Sequence, residues 1–416
     1  MFGLFEKRSL ENPSVPLSDA NAWNEFFSFA TTITGDSVTE ESALGVSAVW
    51  QAVNAIAGTI SALPLHLFKD SGAGAEKDTA NSLYYIVHDR PNEFDTAQAF
   101  YKWMVTRLLL SGRATAYISR NRAGRVAALH PLDGSKLRVE QKVRGKTIKR
   151  DYIYTLSSQT LVYDSSEVID IVWFPTADAM GHRNPISMNR DTIALMIAAQ
   201  KYSGKLFANG GVPPLVLNSP QAPSPQAAAR ASNDVAEAIK ASQATKSQVL
   251  LAPAGHRLEA IGLDPSKSQL VELRRFMISE TSRIFNIAPA LLHDLSTGTY
   301  SNTEQQMLSF ARQTVSPLVE AIEQEMNAKL FGARNTANYV KFSLNGLLRG
   351  DFTARMEGYA KSVQNAIMTP NECRALEELA PLPGGDQLLV QGATVPITMA
   401  GQDKTNSQPP AGDNNA

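Results

Sequence analysis

Two long helical segments with a small insert between them constrain this chain more than any other feature. The first covers residues 187–209 and ends at Asn209-Gly210-Gly211, where glycine readily supplies the left-handed residue that closes many helices. The second covers residues 266–287. Each is long enough to span about 30 Å, so the pair predicts a two-helix stalk that carries residues 210–265 at its tip.

The insert at the tip has a β-α-β-β pattern, with apolar strands at "PLVLNS", "SQVLLAP" and "HRLEAIGL" and an Ala-rich helix over 227–244. A unit of about 50 residues buries little apolar surface when it is alone. This size predicts that the tip is completed by neighbouring copies of the chain. Contacts of that kind that close on themselves give a cyclic ring.

Residues 39–175 have the pattern of an α+β domain with a mostly antiparallel sheet. Thr39 is a predicted N-cap followed by Glu40 and Glu41, and a second helix is predicted to start at Thr96. Apolar segments between residues 114 and 174 predict strands, of which the last is interrupted by Asp170. Further on, residues 351–367 predict a helix, and the last sixteen residues have a composition that favours disorder.

A third long helix is predicted over residues 302–330, with Pro317 inside it. Proline removes one backbone donor and clashes with the carbonyl four residues earlier, so Pro317 predicts a helix kink. Between the second and third helices lies "STGTYSN", residues 296–302, which is small, polar and uncharged. Such a loop is either a surface linker or a functional segment held on a rigid scaffold.

Composition excludes several classes of protein. The formal net charge is −1, from 39 basic and 40 acidic residues, whereas tight nucleic-acid binders usually carry a basic excess. Cys373 is the single cysteine, and no two histidines have metal-ligand spacing, so we expect no disulfide, metal site or cofactor. Apolar runs are too short for a membrane span, and the N-terminus lacks the order of a secretory signal.

Two groups of residues are candidates for chemistry. His293 and Asp294, close in sequence to Ser296 and Ser301, raise the hypothesis of a hydrolase or nuclease, although a triad depends on geometry across the fold. The second group lies on the second long helix. It is either a solvated face with helical ion pairs or a set of charges that lines a channel or subunit contact. Its members are Glu272, Arg274, Arg275, Glu280 and Arg283.

Residues 269–330, "QLVELRRFMISETSRIFNIAPALLHDLSTGTYSNTEQQMLSFARQTVSPLVEAIEQEMNAKL", resemble the signature block of tailed-bacteriophage portal proteins, in particular the compact type of many siphoviruses. Supporting similarity lies in "VWQAVNAIAGTISALPLHLF", "FYKWMVTRLLLSGRATAYISRN" and "KYSGKLFANGGVP". The resemblance covers roughly residues 40–385. It implies a non-enzymatic ring, usually of twelve subunits, at one capsid vertex, with a channel through which double-stranded DNA is packaged and ejected.

The resemblance also implies a division of the chain and a set of partners. The partners are other copies of the chain, the DNA, the major capsid protein, the terminase large subunit and a head–tail adaptor protein, in the virion and, during assembly, in the host cytoplasm. The implied α+β portal fold begins with a partly disordered arm (1–38) and a wing (39–186), followed by a first stem helix (187–209), a clip (210–265) and a second stem helix (266–287). The rest consists of a tunnel loop with kinked helix and wing strand (288–349), a crown (350–385) and a disordered tail (386–416).

By the same resemblance, the loop after the second stem helix projects into the channel and faces the DNA. Its residues are Ser296, Thr297, Gly298, Thr299, Tyr300, Ser301 and Asn302. Uncharged polar groups bind phosphate oxygens transiently and release few counterions, which suits a passage through which DNA slides. Two alternatives stay open from the residues alone, namely the hydrolase or nuclease at His293 and Asp294 and an adaptor ring without DNA passage. An infectious phage and a gene transfer agent fit the sequence equally.

Overall fold

The chain divides into two units, Met1–Leu344 and Asn345–Ala416, in the computed structural model. The residues that the structure describes are 32–70, 74–144, 147–156, 159–208, 215–218, 224–245, 257–260, 270–294, 300–332, 337–344, 347, 352–377 and 379–389.

The first unit contains helices and strands in mixed order. The helices are α1 (Glu40–Leu44), α2 (Ser47–Ser61), α3 (Ser82–His88), α4 (Ala97–Leu110), α5 (Pro185–Met188), α6 (Arg190–Ala208), α7 (Pro225–Thr245), α8 (Leu270–Phe285), α9 (Tyr300–Phe310) and α10 (Ser316–Phe331). The strands are β1 (Leu65–Asp70), β2 (Ala75–Lys77), β3 (Arg113–Arg120), β4 (Val126–Leu132), β5 (Leu137–Arg144), β6 (Thr147–Thr155), β7 (Thr160–Asp164), β8 (Val168–Val172), β9 (Leu215–Asn218), β10 (Arg257–Ala260) and β11 (Asn338–Phe342).

The predicted helix starts at Thr39 and Thr96 are confirmed. The Thr39 hydroxyl accepts the Ser42 N–H at 3.1 Å, and the Ser42 hydroxyl accepts the Thr39 N–H at 2.9 Å, which forms a capping box. Thr96 accepts the Ala99 N–H in the same way. The helix predicted after Thr39 is in fact two helices, because the chain bends at residues 45–46 before α2 begins.

The strands pair in the antiparallel sense that the sequence predicts, but they form separate small sheets instead of one. Three strands are ordered β4-β3-β8, three β5-β6-β7 and three β11-β1-β2. In the last of these, the strand that follows the third long helix returns to the first strand of the chain, with Leu65 opposite Phe342. Residues far apart in sequence therefore complete one sheet.

The Asp170 that interrupts the apolar pattern of β8 belongs to a buried ion pair. Arg113 donates from Nε and Nη2 to the two Asp170 oxygens, both at 2.7 Å, and the two side chains are 8% and 6% exposed. The Tyr152 hydroxyl donates to Asp170 Oδ2 at 2.8 Å, and the Asp170 N–H donates to Glu325 Oε1 at 3.1 Å. Burial raises the pKa of Glu325. This Arg113–Asp170 cluster joins β3, β8, β6 and α10.

A second buried polar group surrounds His66 on β1. Since an ammonium group only donates, Lys77 Nζ donates to His66 Nε2 at 3.3 Å, and His66 Nδ1–H donates to the Tyr84 hydroxyl oxygen at 3.1 Å. The ring of His88 stacks on His66 with centroids 5.1 Å apart. Burial first, and then the charges of Lys77 and His88, lower the pKa of His66 to about 4. Burial and Arg113 lower the pKa of His182 to about 4 as well.

The helices and strands described in the predicted stalk and tip differ in their boundaries from the prediction. The single helix predicted from residue 187 is split, because Asn184 caps α5 by accepting the N–H groups of Ile186 and Ser187, and the Asn189 side chain donates to the Pro185 carbonyl at 2.8 Å. At the tip, β9 and β10 pair antiparallel and α7 covers the predicted Ala-rich helix. The predicted strand "SQVLLAP" lies outside the described residues.

The second unit contains α11 (Phe352–Gln364) and α12 (Pro370–Leu376). The sequence Thr369-Pro370-Asn371-Glu372 predicts a helix start, and the structure confirms it, since Thr369 and Glu372 form a capping box. Arg355 Nε donates to Glu377 Oε1 at 3.0 Å, and the Tyr359 hydroxyl donates to the same oxygen at 3.0 Å. This carboxylate therefore links the end of α12 to α11.

Replacement of Asp170 with Asn should lower the free energy of unfolding by about 3–5 kcal/mol, because Arg113 would stay buried without a counter-charge. Denaturant unfolding followed by circular dichroism measures this change. Lys136→Ala is the control, since its ion pair with Asp133 is about half exposed and should contribute less than about 1 kcal/mol. An equal loss in both variants would contradict the assigned role of the buried pair.

Stability should fall as the pH decreases from 6.5 towards 4. A histidine whose pKa is lower in the folded chain takes up its proton only after unfolding, so stability is complete above pH 6.5 and is lost below it. Each such histidine adds a slope of at most about 1.4 kcal/mol per pH unit. We expect His66→Gln to give a shallower slope than the wild type in urea unfolding at several pH values. Parallel slopes for the two proteins would rule out this contribution of His66.

Candidate functional site: the paired helices and the helix that follows them

The helices α6 and α8 lie side by side and run in opposite directions. Thr281 of α8 is fully buried, and its hydroxyl lies 3.7 Å from the sulfur of Met196 on α6. Towards the other end of α6, Ser203 lines the same cavity as Leu273 of α8. Residue numbers rise along α6 while they fall along α8, so the two helices form the antiparallel pair that the sequence predicts.

Large apolar side chains on this pair stay exposed. Leu195 and Tyr202 of α6 are 46% and 45% exposed, and seven residues of an α-helix separate side chains by only about 20°, so they share one stripe. On α8, Val271 is 66% and Phe276 52% exposed, and their spacing of five residues points them about 140° apart. Helical spacing predicts that Leu195 and Tyr202 share one face with Met196. In the structure, Met196 is buried and the other two are not.

The predicted charged group is distributed along α8. Arg283 and Glu280 form an ion pair three residues apart, with the Arg283 side chain 73% exposed. Glu272, Arg274 and Arg275 are also exposed, and Arg274 lines the cavity between α6, α8 and the start of α2. The Glu280–Arg283 pair is of the kind expected on a solvated helix face. A role of these residues at a channel or subunit contact stays a prediction.

The end of α8 is fixed by local hydrogen bonds. Asn286 has a left-handed backbone with φ of 51°, and the Ile287 N–H donates to the Ser282 carbonyl at 3.0 Å, which is the pattern of a Schellman motif. A 3-10 turn, Pro289–Leu292, follows and ends at His293, which is exposed and also left-handed. The chain thus turns sharply just before the polar loop.

The structure corrects the extent of that loop. Residues 296–299 of the predicted DNA-facing segment lie outside the described residues, whereas Tyr300, Ser301 and Asn302 form the first turn of α9. The third helix therefore begins two residues earlier than its apolar pattern indicates.

The third long helix changes its winding immediately before Pro317. Residues Ala311–Val315 form a π-helical segment between α9 and α10, and the Ser316 N–H donates to the Ala311 carbonyl. Asn286 Nδ2 donates to the Gln313 carbonyl at 3.0 Å, and the Thr314 hydroxyl donates back to the Asn286 carbonyl. Apolar residues at helical spacing predict one buried stripe along this helix, and the prediction holds except at its start, where Met307 is 37% exposed. The buried members are Ala311, Val315, Leu318, Ile322, Met326 and Leu330.

Sequence reasoning predicted a kink at Pro317 but neither the π-helical segment nor the role of Asn286. Two signals were present in the sequence. Proline leaves one carbonyl of the preceding turn without its helical donor, and asparagine is a residue that tolerates a left-handed backbone. Neither signal says which of the distant polar residues reaches that carbonyl.

Two further observations concern the described part of the chain. None of its helices is long and apolar enough to cross a bilayer. Within the same residues, no three His, Cys, Asp or Glu side chains come together as a metal site would require.

Comparison with known proteins places the chain in a family. The family model described as "Phage portal protein" matches residues 47–378. The portal protein of Enterobacteria phage HK97 is 30% identical over 378 residues, which cover 89% of this chain and 87% of that protein. This chain belongs to the phage portal protein family, which consists of structural proteins and not of enzymes.

Solved structures agree in fold. An HK97-family phage portal protein from Corynebacterium diphtheriae has a TM-score of 0.55 at 19% identity, over 74% of this chain and 96% of that one. A protein in the neck of a native gene transfer agent particle, computed with C12 symmetry, has a TM-score of 0.56 at 19% identity, over 82% of this chain and 92% of that one. The mixed helix-and-strand architecture is thus shared with portal and particle-neck proteins.

Proposed function

We propose that this chain assembles into a ring at one vertex of a phage capsid or gene transfer agent particle, where it forms the channel through which double-stranded DNA enters and leaves. The observation that carries the proposal is the antiparallel α6–α8 pair, which presents large apolar side chains to solvent in several directions. Membership of the portal family supports the same conclusion.

The exposed side chains fit a subunit that has a neighbour on each side. In a cyclic ring, every subunit meets its two neighbours through two different surfaces. Val271 and Phe276 point in different directions from α8, and the Leu195–Tyr202 stripe lies on α6, so apolar contacts are available on more than one side of the pair. Burial of one such side chain contributes roughly 1.5–3 kcal/mol. Several per subunit, repeated round a ring, would stabilise it strongly.

The parts of the chain then take the following proposed roles. The α+β region 39–186 forms the wing, α6 and α8 form the stem, the β9–α7–β10 region forms the clip, and α11 with α12 forms the crown. A ring of twelve is supported by the C12 symmetry named for the similar gene transfer agent neck. The proposed partners are the DNA, the major capsid protein, the terminase large subunit and a head–tail adaptor protein, with assembly in the host cytoplasm.

We assign no chemistry of its own to the chain. His293 is exposed and closes a short turn. The chain belongs to a family of structural proteins. The energy for DNA movement would come from a terminase partner. The hydrolase or nuclease alternative requires His293 for all activity, whereas the portal proposal does not.

Charge introduced at the stem stripe should prevent ring assembly without unfolding the chain. In the double variant Leu195→Glu/Tyr202→Glu, carboxylates would be buried against a neighbour, while the separate chain changes by less than about 0.5 kcal/mol because both sites are exposed. Native mass spectrometry should find monomers or small oligomers in place of rings. Leu195→Met/Tyr202→Phe keeps the apolar area and should assemble normally. Rings of unchanged size from the Glu variant would exclude this stripe as a contact.

Cations introduced at the loop should slow DNA packaging but leave ring assembly intact. In Thr299→Lys/Tyr300→Lys, each subunit gains two charges that bind phosphate, so we expect packaging to slow by about tenfold or more at low salt and to recover as salt is raised. A capsid-filling assay measures this. Thr299→Ser/Tyr300→Phe is the matched uncharged control, and His293→Ala should package like the wild type. Normal filling by the Lys variant would contradict the position of the loop in the channel.

A further inference from the structure

Pro317 leaves a gap in the hydrogen-bond ladder of the third long helix. In a continuous α-helix, the N–H of residue 317 would donate to the carbonyl of Gln313, but proline has no N–H. The ladder has already shifted just before this point, since Ser316 donates to Ala311, five residues earlier. The helix is therefore at its weakest between residues 311 and 317.

A side chain from a different helix supplies the missing donor. Asn286 Nδ2 lies 3.0 Å from the oxygen of Gln313, the carbonyl that Pro317 deprives of its partner. In the opposite direction, the Thr314 hydroxyl donates to the Asn286 carbonyl. Two hydrogen bonds thus connect the last turn of α8 to the irregular segment of the third helix.

Asparagine is well suited to both demands at position 286. The backbone there is left-handed, which Asn tolerates better than most residues other than Gly. Glycine would adopt this backbone without strain but has no side-chain amide to donate. A residue with a longer polar side chain would disfavour the left-handed backbone. Asparagine at position 286 therefore meets two requirements, a left-handed backbone at the end of α8 and a side-chain donor for the Gln313 carbonyl.

The surroundings hold the two bonded segments in place. Phe285 and Ile287 on either side of Asn286 are 5% and 2% exposed, and Thr314 and Val315 of the π-helical segment are 5% and 0% exposed. The Asn286 side chain itself stays exposed. The hydrogen bond of this side chain therefore contributes modestly to stability. The buried neighbours fix the direction in which the Asn286 side chain points.

We propose that Asn286 is a positioning residue that couples the second stem helix to the third long helix at Pro317 and so sets the direction of α9. The proposed DNA-facing loop lies between α8 and α9, and this contact joins the end of α8 to the segment that follows α9. A change in the tilt of α8 is passed to α9 through residue 286. The effect on DNA passage rests on the proposed portal function, but the coupling itself does not.

The coupling is tested by a double-mutant cycle in the full-length chain. Asn286→Gly removes the donor and keeps the left-handed backbone, so the unfolding equilibrium constant should rise by about threefold to tenfold. Pro317→Ala restores an N–H for Gln313, and its own effect on that constant is measured separately as the second side of the cycle. In the double variant, the rise in the unfolding equilibrium constant caused by Asn286→Gly should largely disappear, because the N–H restored at position 317 replaces the lost donor. If the effects of Asn286→Gly and Pro317→Ala are independent, the proposal is wrong.

A nearby variant distinguishes this role from simple loss of a contact. Thr314→Val removes the other hydrogen bond between the two segments but leaves the Gln313 carbonyl satisfied. Pro317→Ala should therefore not rescue Thr314→Val. Equal rescue of Thr314→Val and Asn286→Gly would show a general effect of removing the proline and would overturn the assignment.

The direction of α9 is measured by spin labels at Gln305→Cys and Glu320→Cys, both exposed positions, in a Cys373→Ser background with labelled chains diluted into unlabelled ones. Pulsed dipolar spectroscopy should give one narrow distance for the parent protein, a broader or shifted distribution for Asn286→Gly, and a narrow one again with Pro317→Ala. An unchanged distribution in Asn286→Gly would refute positioning.

DNA filling of capsids by the same variants then separates the two proposals. If the spin-label distances respond to Asn286→Gly but filling does not, the coupling stands and the role of the loop in DNA passage fails. If neither distances nor filling respond, the coupling fails while the portal proposal is unaffected.

Discussion

The buried ion pair between Arg113 and Asp170 fixes the part of the molecule on which the paired helices depend. Asp170 lies on β8, the last strand before α5 and α6, and its N–H is held by Glu325 of α10, which follows the proposed DNA-facing loop. The strand before α5 and α6 and the helix after the proposed loop therefore meet at the same cluster. A buried charge is costly without its partner, so the geometry of this entry and exit point is tightly specified.

From that point, the long helices are held at two further places. Met196 and Thr281 bring α6 and α8 together, and Asn286 connects the end of α8 to the bend of the third helix. The α10 part beyond the bend is packed through Leu318, Ile322 and Met326. The α9 part before the bend leads to the loop.

Local features of the fold were predictable from the sequence because they depend on neighbours a few residues apart. The caps at Thr39, Thr96 and Thr369 and the apolar stripe of α10 are of this type. Features that depend on distant residues were not predictable. The pairing of β11 with β1 and the division of the other strands among small sheets are of this type, and the exposure of Leu195 and Tyr202 depends on where α8 packs. For the candidate site, sequence identified the loop region and Pro317, while the contact of Asn286 required three-dimensional structure.

The pairing of β1 with β11 has a consequence for biosynthesis. One edge of β1 pairs with residues 338–342, so the sheet that begins at Leu65 stays incomplete until most of the polypeptide has left the ribosome. Pairing across so long a separation is slow, and an unpaired strand edge is prone to wrong association in the meantime. A prematurely terminated product would lack this closing strand. A fragment that ends before residue 338 therefore cannot complete this sheet.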